Sequence, residues 1–300
     1  MQNLANKPLV SIVTPSYNHA TYIERTILSV LQQDYANLEY VVVDAVSKDG
    51  TKEILQRYKK KIARIICEKD DGQADAINKG FKATSGSIMA YINSDDCYAS
   101  ASVVSRAVQL FQQNPDVDVI YGRRLFIDEK GKFVLNYPYR EFDAKALELS
   151  CYIPQECVFW RRSLYDRVGA FIDTSFQFAL DYELWLRFVD AGAKFLTINE
   201  FFGLFRWYAG QKSQSEWLSH GLPEIARLQE KRLGRKQPAE EMLSEHYTFM
   251  YGVGSLSNAK AWEGTYRRWQ LLSEMHRAQL EESLLDAWVY QSNFSNKFEL

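Results

Sequence analysis

The amino-acid sequence predicts an α/β protein in which a mostly parallel sheet is flanked by helices. Three observations support this prediction. Short runs rich in β-branched and apolar residues recur between residues 9 and 121. Segments with apolar residues at helical spacing separate these runs. The runs are almost uniformly apolar, which is typical of strands that are covered by helices on both faces.

The elements follow one another in a regular order through this first part of the chain. The predicted strands cover residues 9–14, 40–43, 62–67, 88–92 and 117–121. A helix follows the first strand, and Thr21 and Glu24 have the spacing of a capping box at its start. Three more helices are predicted, beginning near Thr51 and covering residues 74–81 and 103–113.

The pattern changes after residue 122. Residues 125–128 and 132–135 flank a Glu-Lys-Gly turn and predict a hairpin. The segments predicted next are a strand at 157–160, a helix at 180–189, and two strands at 195–198 and 201–205. From residue 216 onward the pattern is helical and rich in aromatic residues.

Composition excludes several classes of protein. Lys and Arg total 36 and Asp and Glu total 38, so the net charge of −2 gives no support for nucleic-acid binding. The chain has no apolar run long enough to span a bilayer, and its first residues lack the apolar stretch of a signal peptide. The four cysteines form no C-x-x-C pair. We therefore expect a cytoplasmic protein with free thiols.

Polar residues follow three of the predicted strands at the point where each strand ends. They are Asp44 and the stretches at 15–18 and 93–96, which read PSYN and NSDD. Ligands of open α/β sheets bind beyond the carboxyl ends of the strands. We therefore expect these side chains to converge on one binding site.

Known motifs narrow the chemistry of that site. The sequence has no G-x-G-x-x-G after the first strand, no P-loop, no G-x-S-x-G and no histidine pair at zinc-site spacing. Asp95 and Asp96 offer the hard oxygen ligands that suit Mg²⁺ or Mn²⁺ bound together with phosphates. Taken alone, such an aspartate pair is more often part of a turn or a helix cap.

Several ordered motifs closely resemble family 2 glycosyltransferases of the GT-A fold. They are VSIVTPSYN (10–18), VVVDAVSKDGT (41–51), DGQADAINKG (71–80), INSDD (92–96), IPQECVFWRRSLYDRVGAF (153–171) and DYELWLR (181–187). The resemblance extends over about residues 8–215 and implies a Rossmann-like GT-A domain at 1–215. Within it, residues 1–122 would bind the nucleotide sugar and residues 123–215 would form the acceptor side. Residues 216–300 would be a helical C-terminal extension.

The resemblance implies inverting transfer of a sugar from a nucleotide diphosphate donor to an acceptor hydroxyl. The pathway would be polysaccharide, O-antigen, capsule or other glycoconjugate biosynthesis, with Mn²⁺ or Mg²⁺ as cofactor. Asp95 would bind the metal and Asp181 would be the catalytic base. The nucleotide-sugar-binding residues would be Pro15, Tyr17, Asn18, Asp44, Asn78, Gly80, Asn93 and Ser94.

Two assignments have alternatives. Glu183 competes with Asp181 for the role of base, and because they are two residues apart they point about 200° apart on a helix. An acidic residue in a first helical turn can also merely complement the helix dipole. Gln155 and Glu156 are candidates for the acceptor side, although a polar turn before a strand explains them equally well.

The sequence departs from the family pattern at three informative positions. Ala45 replaces a second acidic residue after the second strand, Asn93 replaces the usual first aspartate of the D-x-D motif, and Tyr208 replaces a histidine that is a candidate metal ligand in relatives. Metal binding would then rely on Asp95, diphosphate and water. These departures keep open a sugar-nucleotide-binding protein without turnover. A nucleotidyltransferase is the other alternative.

The expected partners are a nucleotide-sugar donor and a glycan or lipid-linked glycan acceptor, with no nucleic acid. The C-terminal extension interleaves basic and aromatic residues. Such a pattern is compatible with packing on the main domain, with a homodimer, or with peripheral contact at an anionic membrane surface. The residues concerned are Arg227, Lys231, Arg232, Arg235, Lys236, Trp262, Tyr266, Arg267, Arg268, Trp269 and Trp288.

Overall fold

A computed structural model describes residues 7–208, 210–238 and 242 of the chain. A single mixed sheet of nine strands lies at the centre of this described part. The strands are β1 (Val10–Ser16), β2 (Leu38–Asp44), β3 (Arg64–Cys67), β4 (Ile88–Tyr91), β5 (Cys97–Tyr98), β6 (Val119–Ile127), β7 (Phe133–Asn136), β8 (Val158–Arg161) and β9 (Phe195–Arg206).

The strand order is β3-β2-β1-β4-β8-β6-β9-β5, and β7 pairs with β6. The first four of these strands are parallel, as predicted, and Ser16 of β1 lies beside Asp44 of β2 at their carboxyl ends. The second half is mostly antiparallel, although β6 and β9 run parallel. β6 crosses the predicted boundary between residues 122 and 123, so the two halves share one sheet; their functional division stays a prediction.

Helices cover both faces of the sheet. They are α1 (Ile23–Leu31), α2 (Thr51–Tyr58), α3 (Gln73–Lys82), α4 (Val103–Gln113), α5 (Ala144–Leu149), α6 (Arg162–Arg167), α7 (Leu180–Asp190), α8 (Lys212–Ser215) and α9 (Leu222–Leu233). Alternate strand residues face opposite cores. Ile12 and Val42 pack with α1, α2 and α4, whereas Val13 and Val43 pack with α3 and α7. This two-sided burial explains the uniformly apolar strands.

Two local predictions were wrong. The predicted strands at 195–198 and 201–205 form one strand, β9, whose register with β6 shifts partway along. The exposed Asn199 and Glu200 resemble a turn but remain in the strand. The predicted capping box is absent, because α1 begins only at Ile23 and has no side-chain cap. The Glu24 carboxylate instead accepts hydrogen bonds from Arg57 and Tyr58 of α2, each at 2.9 Å.

The described part of the C-terminal extension is helical and packs on the domain. The Gln229 amide donates to the Leu149 carbonyl at 2.6 Å, and Arg232 pairs with Asp190 at 2.6 Å. Arg227 lies over the Phe176 ring. These contacts favour the packing interpretation for the start of the extension. The aromatic residues predicted to contribute at Trp262, Tyr266, Trp269 and Trp288 lie outside the described residues, as do Arg267 and Arg268.

Two expectations concern the chain as a whole. All four cysteines are free, which confirms the expectation of unpaired thiols. Within residues 7–208, 210–238 and 242, no helix combines the length and the apolar character needed to cross a membrane.

Candidate active site

A cavity of about 1450 Å³ opens at the carboxyl edge of the parallel strands. The loops after β1, β2 and β4 form one side, and the start of α7 and the segment after β9 form the other. Many of the predicted site residues line it: Pro15, Tyr17, Asn93, Ser94, Asp95, Gln155, Glu156 and Asp181. Asn18, Asp44, Asn78 and Gly80 do not line the cavity.

Asp44 ends β2 and is fully buried. Its Oδ1 accepts the backbone N–H of Ser47 at 2.9 Å, and its Oδ2 accepts the Ser47 hydroxyl. The Cys67 thiol also lies 3.6 Å from Oδ1. Asp44 therefore fixes the loop after β2, from which Ala45 and Val46 reach the cavity. Direct contact of Asp44 with a base or ribose stays a prediction.

Asn18 joins the loop after β1 to the loop after β2. Its backbone N–H donates to the Ser47 hydroxyl at 2.8 Å, and its side-chain oxygen accepts the Lys48 N–H at 2.9 Å. Asn18 has a φ of 53° and Val46 a φ of 63°. A left-handed conformation is tolerated by asparagine but is strained for a β-branched residue. The loop geometry at this edge is thus set by specific hydrogen bonds.

Asn78 and Gly80 of α3 face the protein interior. The Asn78 amide exchanges two hydrogen bonds with the backbone of Ile172, at 2.8 and 2.7 Å. Gly80 packs against β1 so closely that an added Cβ would lie 2.3 Å from Cγ1 of Val13. Their placement gives no support to the prediction that they bind the nucleotide sugar. A glycine inside a helix here serves close packing of that helix on the sheet.

The two aspartates after β4 serve different structural purposes. The Asp95 carboxylate lines the cavity and accepts the Tyr208 hydroxyl at 3.0 Å. The Asp96 carboxylate is buried and accepts the backbone N–H of Arg206 at 3.0 Å. Burial, together with the neighbouring Asp95 and Glu156, raises the pKa of Asp96 well above its ordinary value. Asp96 thus anchors the end of β9, and Asp95 remains available to a ligand.

A divalent metal fits this arrangement only if the ligand completes its coordination. Among the described residues, no group of three or more His, Cys, Asp or Glu side chains could hold a metal by itself. Asp95 presents a carboxylate to the cavity. Mg²⁺ and Mn²⁺ commonly take one or two carboxylates and obtain their other ligands from phosphates and water. The residues present therefore fit a metal that binds together with a diphosphate.

A chain of hydrogen bonds crosses the cavity floor. The Lys212 ammonium donates to Gln73 at 3.0 Å, Gln73 donates to Asn93 at 2.7 Å, and Asn93 donates to Gln155 at 3.3 Å. Gln155 in turn donates to the Tyr91 carbonyl at 2.6 Å. Lysine only donates and a carbonyl only accepts, so the two ends fix the direction of every amide between them.

Lys212 brings a positive charge to the cavity that the motifs did not reveal. Its side chain is partly buried, and burial lowers the pKa of its ammonium, while Glu216, Glu224 and Asp181 oppose that effect. Within the described residues, no carboxylate lies within ion-pair distance of it. No local signal in the sequence distinguishes Lys212 from other lysines of the helical segment.

The other cavity-lining residues that were predicted to bind the nucleotide sugar include Tyr17 and Ser94. Tyr17 is 61% exposed and stands at the entrance beside Pro15. The Ser94 hydroxyl shares a hydrogen bond with Nδ1 of His19. His19 therefore belongs to the site, although the spacing of the histidines in the sequence gives it no role.

Glu156 also lines the cavity and forms an ion pair with Arg124. Nε of Arg124 donates to Oε1 at 2.6 Å, and Nη2 donates to Oε2. The Glu156 side chain is 1% exposed and that of Arg124 is 14% exposed. The Arg124 guanidinium also lies 4.2 Å from the centre of the Phe205 ring. The sequence identified Glu156 but gave no sign of its partner on β6.

Asp181 reaches the cavity from the first turn of α7. Burial raises the pKa of its carboxyl to about 6, although a 2.8 Å hydrogen bond from the Tyr182 N–H and the charge of Arg124 oppose the rise. Glu183 does not line the cavity and is paired with Arg187 at 2.8 Å. Of the two candidate bases, Asp181 is therefore the one that faces the site.

Comparison with known proteins extends these observations. The profile of "Glycosyl transferase family 2" matches residues 11–169. A putative teichuronic acid biosynthesis glycosyltransferase of Bacillus subtilis, TuaG, is 45% identical over 93 residues, which are 30% of this chain and 37% of TuaG. An uncharacterized glycosyltransferase of Rickettsia typhi, RT0329, is 30% identical over 197 residues, which are 63% and 61% of the two chains. The chain thus spans between about a third and three fifths of these relatives.

Solved structures show the same fold. Residues 1–349 of S. aureus TarS in complex with UDP-GlcNAc superpose with a TM-score of 0.63 at 18% identity, covering 86% of this chain and 79% of that one. The mannosyltransferase PcManGT of Pyrobaculum calidifontis, in complex with GDP-Man and Mn²⁺, gives 0.59 at 19% identity, covering 97% and 88%. The predicted GT-A fold is thereby confirmed, and the chain belongs to glycosyl transferase family 2.

Proposed function

We propose that the protein is an inverting glycosyltransferase that moves a sugar from a nucleotide diphosphate donor to an acceptor hydroxyl in cell-surface glycan synthesis. One observation carries the proposal: Asp95 and Asp181 open into the same cavity. Family membership supports the reaction class. The name of the Bacillus subtilis relative, which refers to teichuronic acid, supports the biosynthetic setting.

Asp181 is proposed to accept the proton of the acceptor hydroxyl as that oxygen attacks the sugar. A carboxyl with a pKa of about 6 is ionised at neutral pH and is a stronger base than an ordinary aspartate. A positioned base contributes about 10²–10⁴-fold to such a step. Attack from the side of Asp181, opposite the departing diphosphate, inverts the anomeric carbon in one displacement.

The other side of the cavity is proposed to bind the nucleoside diphosphate. Asp95 would hold Mn²⁺ or Mg²⁺, and the ion would offset the negative charge that grows on the departing phosphate. PcManGT, a neighbour in fold, was solved with Mn²⁺. The Lys212 ammonium adds a fixed positive charge to the same cavity, and Tyr17 and Pro15 offer the donor an apolar surface.

The proposal is tested with a panel of nucleotide sugars that includes UDP-GlcNAc and GDP-mannose, each with and without Mn²⁺. A true donor raises the melting temperature and is slowly hydrolysed, with water taking the sugar in place of the acceptor hydroxyl, and this is followed as release of nucleotide. We expect Asp181→Asn to lower turnover about 100-fold or more while leaving donor stabilisation unchanged. Asp166→Asn, which changes an exposed aspartate of α6, is the matched control. Stabilisation by a donor without any release of nucleotide would instead favour a binding protein.

A further inference from the structure

The segment that leads into α7 is held by a residue far along the chain. Oε1 of Glu224, on α9, accepts the backbone N–H of Gln177 at 2.7 Å. Its Oε2 accepts the N–H groups of Phe178 and Ala179, each at 2.8 Å. Ala179 immediately precedes α7, and its own side chain cannot cap the helix. Glu224 therefore satisfies three backbone donors just before the helix that carries Asp181.

The same segment is held from its other side by residues between β9 and α9. The Lys212 ammonium donates to the Gln177 carbonyl. The Phe178 ring packs against Trp217 with ring centres 5.8 Å apart. Gly221 permits this approach, because an added Cβ would lie 2.9 Å from both rings. The start of α7 is thus fixed by hydrogen bonds, charge and packing together.

We propose that Glu224 is a positioning residue for Asp181: its carboxylate fixes the start of α7 and thereby the place of the Asp181 carboxylate in the cavity. The inference rests on the proposed function, in which Asp181 is the base. Asp181 and Glu224 both lie beyond residues 11–169, the part matched by the family profile. The hydrogen bonds between Glu224 and residues 177–179 therefore lie in the C-terminal part of this chain.

We expect the charge of Glu224 to act on Asp181 as well. A carboxylate before the first turn partly neutralises the positive end of the helix, so its removal makes ionisation of Asp181 easier. The charged and titratable groups that face Asp181 from the packed elements are Arg124, Glu156, Lys212, Tyr91 and Cys151. Of these groups, Lys212 also feels Glu224, whose negative charge raises the pKa of the ammonium against the lowering by burial. Loss of the Glu224 charge should therefore lower the pKa of Asp181.

Three variants separate positioning from general damage. Glu224→Gln keeps the size of the side chain but loses its charge and one accepting oxygen, and Glu224→Ala removes all contacts. Glu230→Gln removes the same charge from an exposed position of the same helix and is the control. We expect Glu224→Gln to lower kcat about ten-fold and Glu224→Ala further, with the donor KM within two-fold. Glu230→Gln should match the unmodified protein. If Glu224→Ala does not fold, Glu224→Gln alone decides.

A second measurement does not depend on activity. The carboxyl ¹³C resonance of Asp181, assigned by its loss in Asp181→Asn, is titrated by NMR. We expect its midpoint near 6 in the unmodified protein and about half a pH unit lower in Glu224→Gln. Hydrogen exchange of the amides of residues 177–179 should also become faster in that variant, whereas Glu230→Gln should change neither property.

The outcomes distinguish this inference from the proposed function. An unchanged kcat in Glu224→Gln, or an unchanged midpoint of Asp181, overturns the role of Glu224 even if the protein is an active transferase. If no donor is turned over by the unmodified protein, the proposed function fails. The NMR midpoint and the exchange rates then still decide whether Glu224 fixes the start of α7 and the ionisation of Asp181.

Discussion

Lowering the pH from 7 to 5 should lower kcat/KM about ten-fold, because Asp181 is proposed to act as a base in its ionised form. With a pKa of about 6, about nine tenths of the Asp181 carboxyls are ionised at pH 7 and about one tenth at pH 5. A carboxyl with the ordinary value of 3.8 would remain more than about nine tenths ionised at pH 5. The two cases are therefore separated by roughly an order of magnitude in rate.

The direction of the shift follows from the surroundings of Asp181. Burial removes water from the carboxylate and favours the neutral acid. The Tyr182 N–H and Arg124 stabilise the ionised form, but the net effect is still a raised pKa. The pairing of Arg124 with Glu156 explains why its charge offsets the burial of Asp181 only in part. The acidic limb of the rate profile should accordingly lie near pH 6 rather than near pH 4.

The assay measures nucleotide release at donor concentrations well below KM, with Mn²⁺ present, between pH 4.5 and 8. Circular dichroism at each pH establishes that the protein stays folded. Asp166→Asn should reproduce the profile of the unmodified protein. A rate that stays constant between pH 7 and pH 5 in folded protein would refute either the raised pKa of Asp181 or its role as base. Titration of Asp181 by NMR then tells these two apart.

Three further predictions concern stability. Gly80→Ala forces a Cβ against Val13 and should lower the unfolding free energy by about 1–3 kcal/mol, whereas an unchanged urea midpoint would contradict the close packing. Glu156→Gln leaves Arg124 without its counter-ion and should lower the unfolding free energy by about 3–5 kcal/mol, measured by the same urea unfolding. A decrease of less than about 1 kcal/mol would show that the ion pair is well solvated. Asp181→Asn should raise the unfolding free energy by up to about 3 kcal/mol at pH 7.5. In the unmodified protein the raised pKa makes ionised Asp181 costly for the folded state above pH 6, and asparagine removes that cost. Urea unfolding at pH 4 should show little of this gain.

The parallel half of the sheet and the edge that carries the cavity were predictable because their signals are local. Strands covered on both faces are apolar throughout. The apolar residues of α4 repeat at helical spacing along the whole helix, and its predicted bounds of 103–113 are those of the structure. The convergence of Tyr17 and Asp95 follows from parallel topology, since parallel strands end at one edge. These inferences need only strand order and side-chain type.

The contacts among the cavity-lining residues were not predictable because they join distant parts of the chain. Arg124 meets Glu156 across 32 residues, and Lys212 meets Gln73 across 139. Nothing in the sequence around either cation marks it as different from a surface residue. Asp44 is a different case. Its position after β2 was predictable, but its hydrogen bonds with Ser47 of the next loop were not.

The proposed role of Asp181 as base and the stability of the fold make opposing demands on the start of α7. Burial strengthens Asp181 as a base, but the same loss of hydration disfavours the folded state at neutral pH. If the segment before α7 were free to move, the Asp181 carboxylate would shift toward water. Glu224 and Lys212 oppose that movement, since they hold the N–H and carbonyl groups of the preceding segment. The segment after β9 therefore keeps Asp181 in the less hydrated position that its proposed chemistry requires.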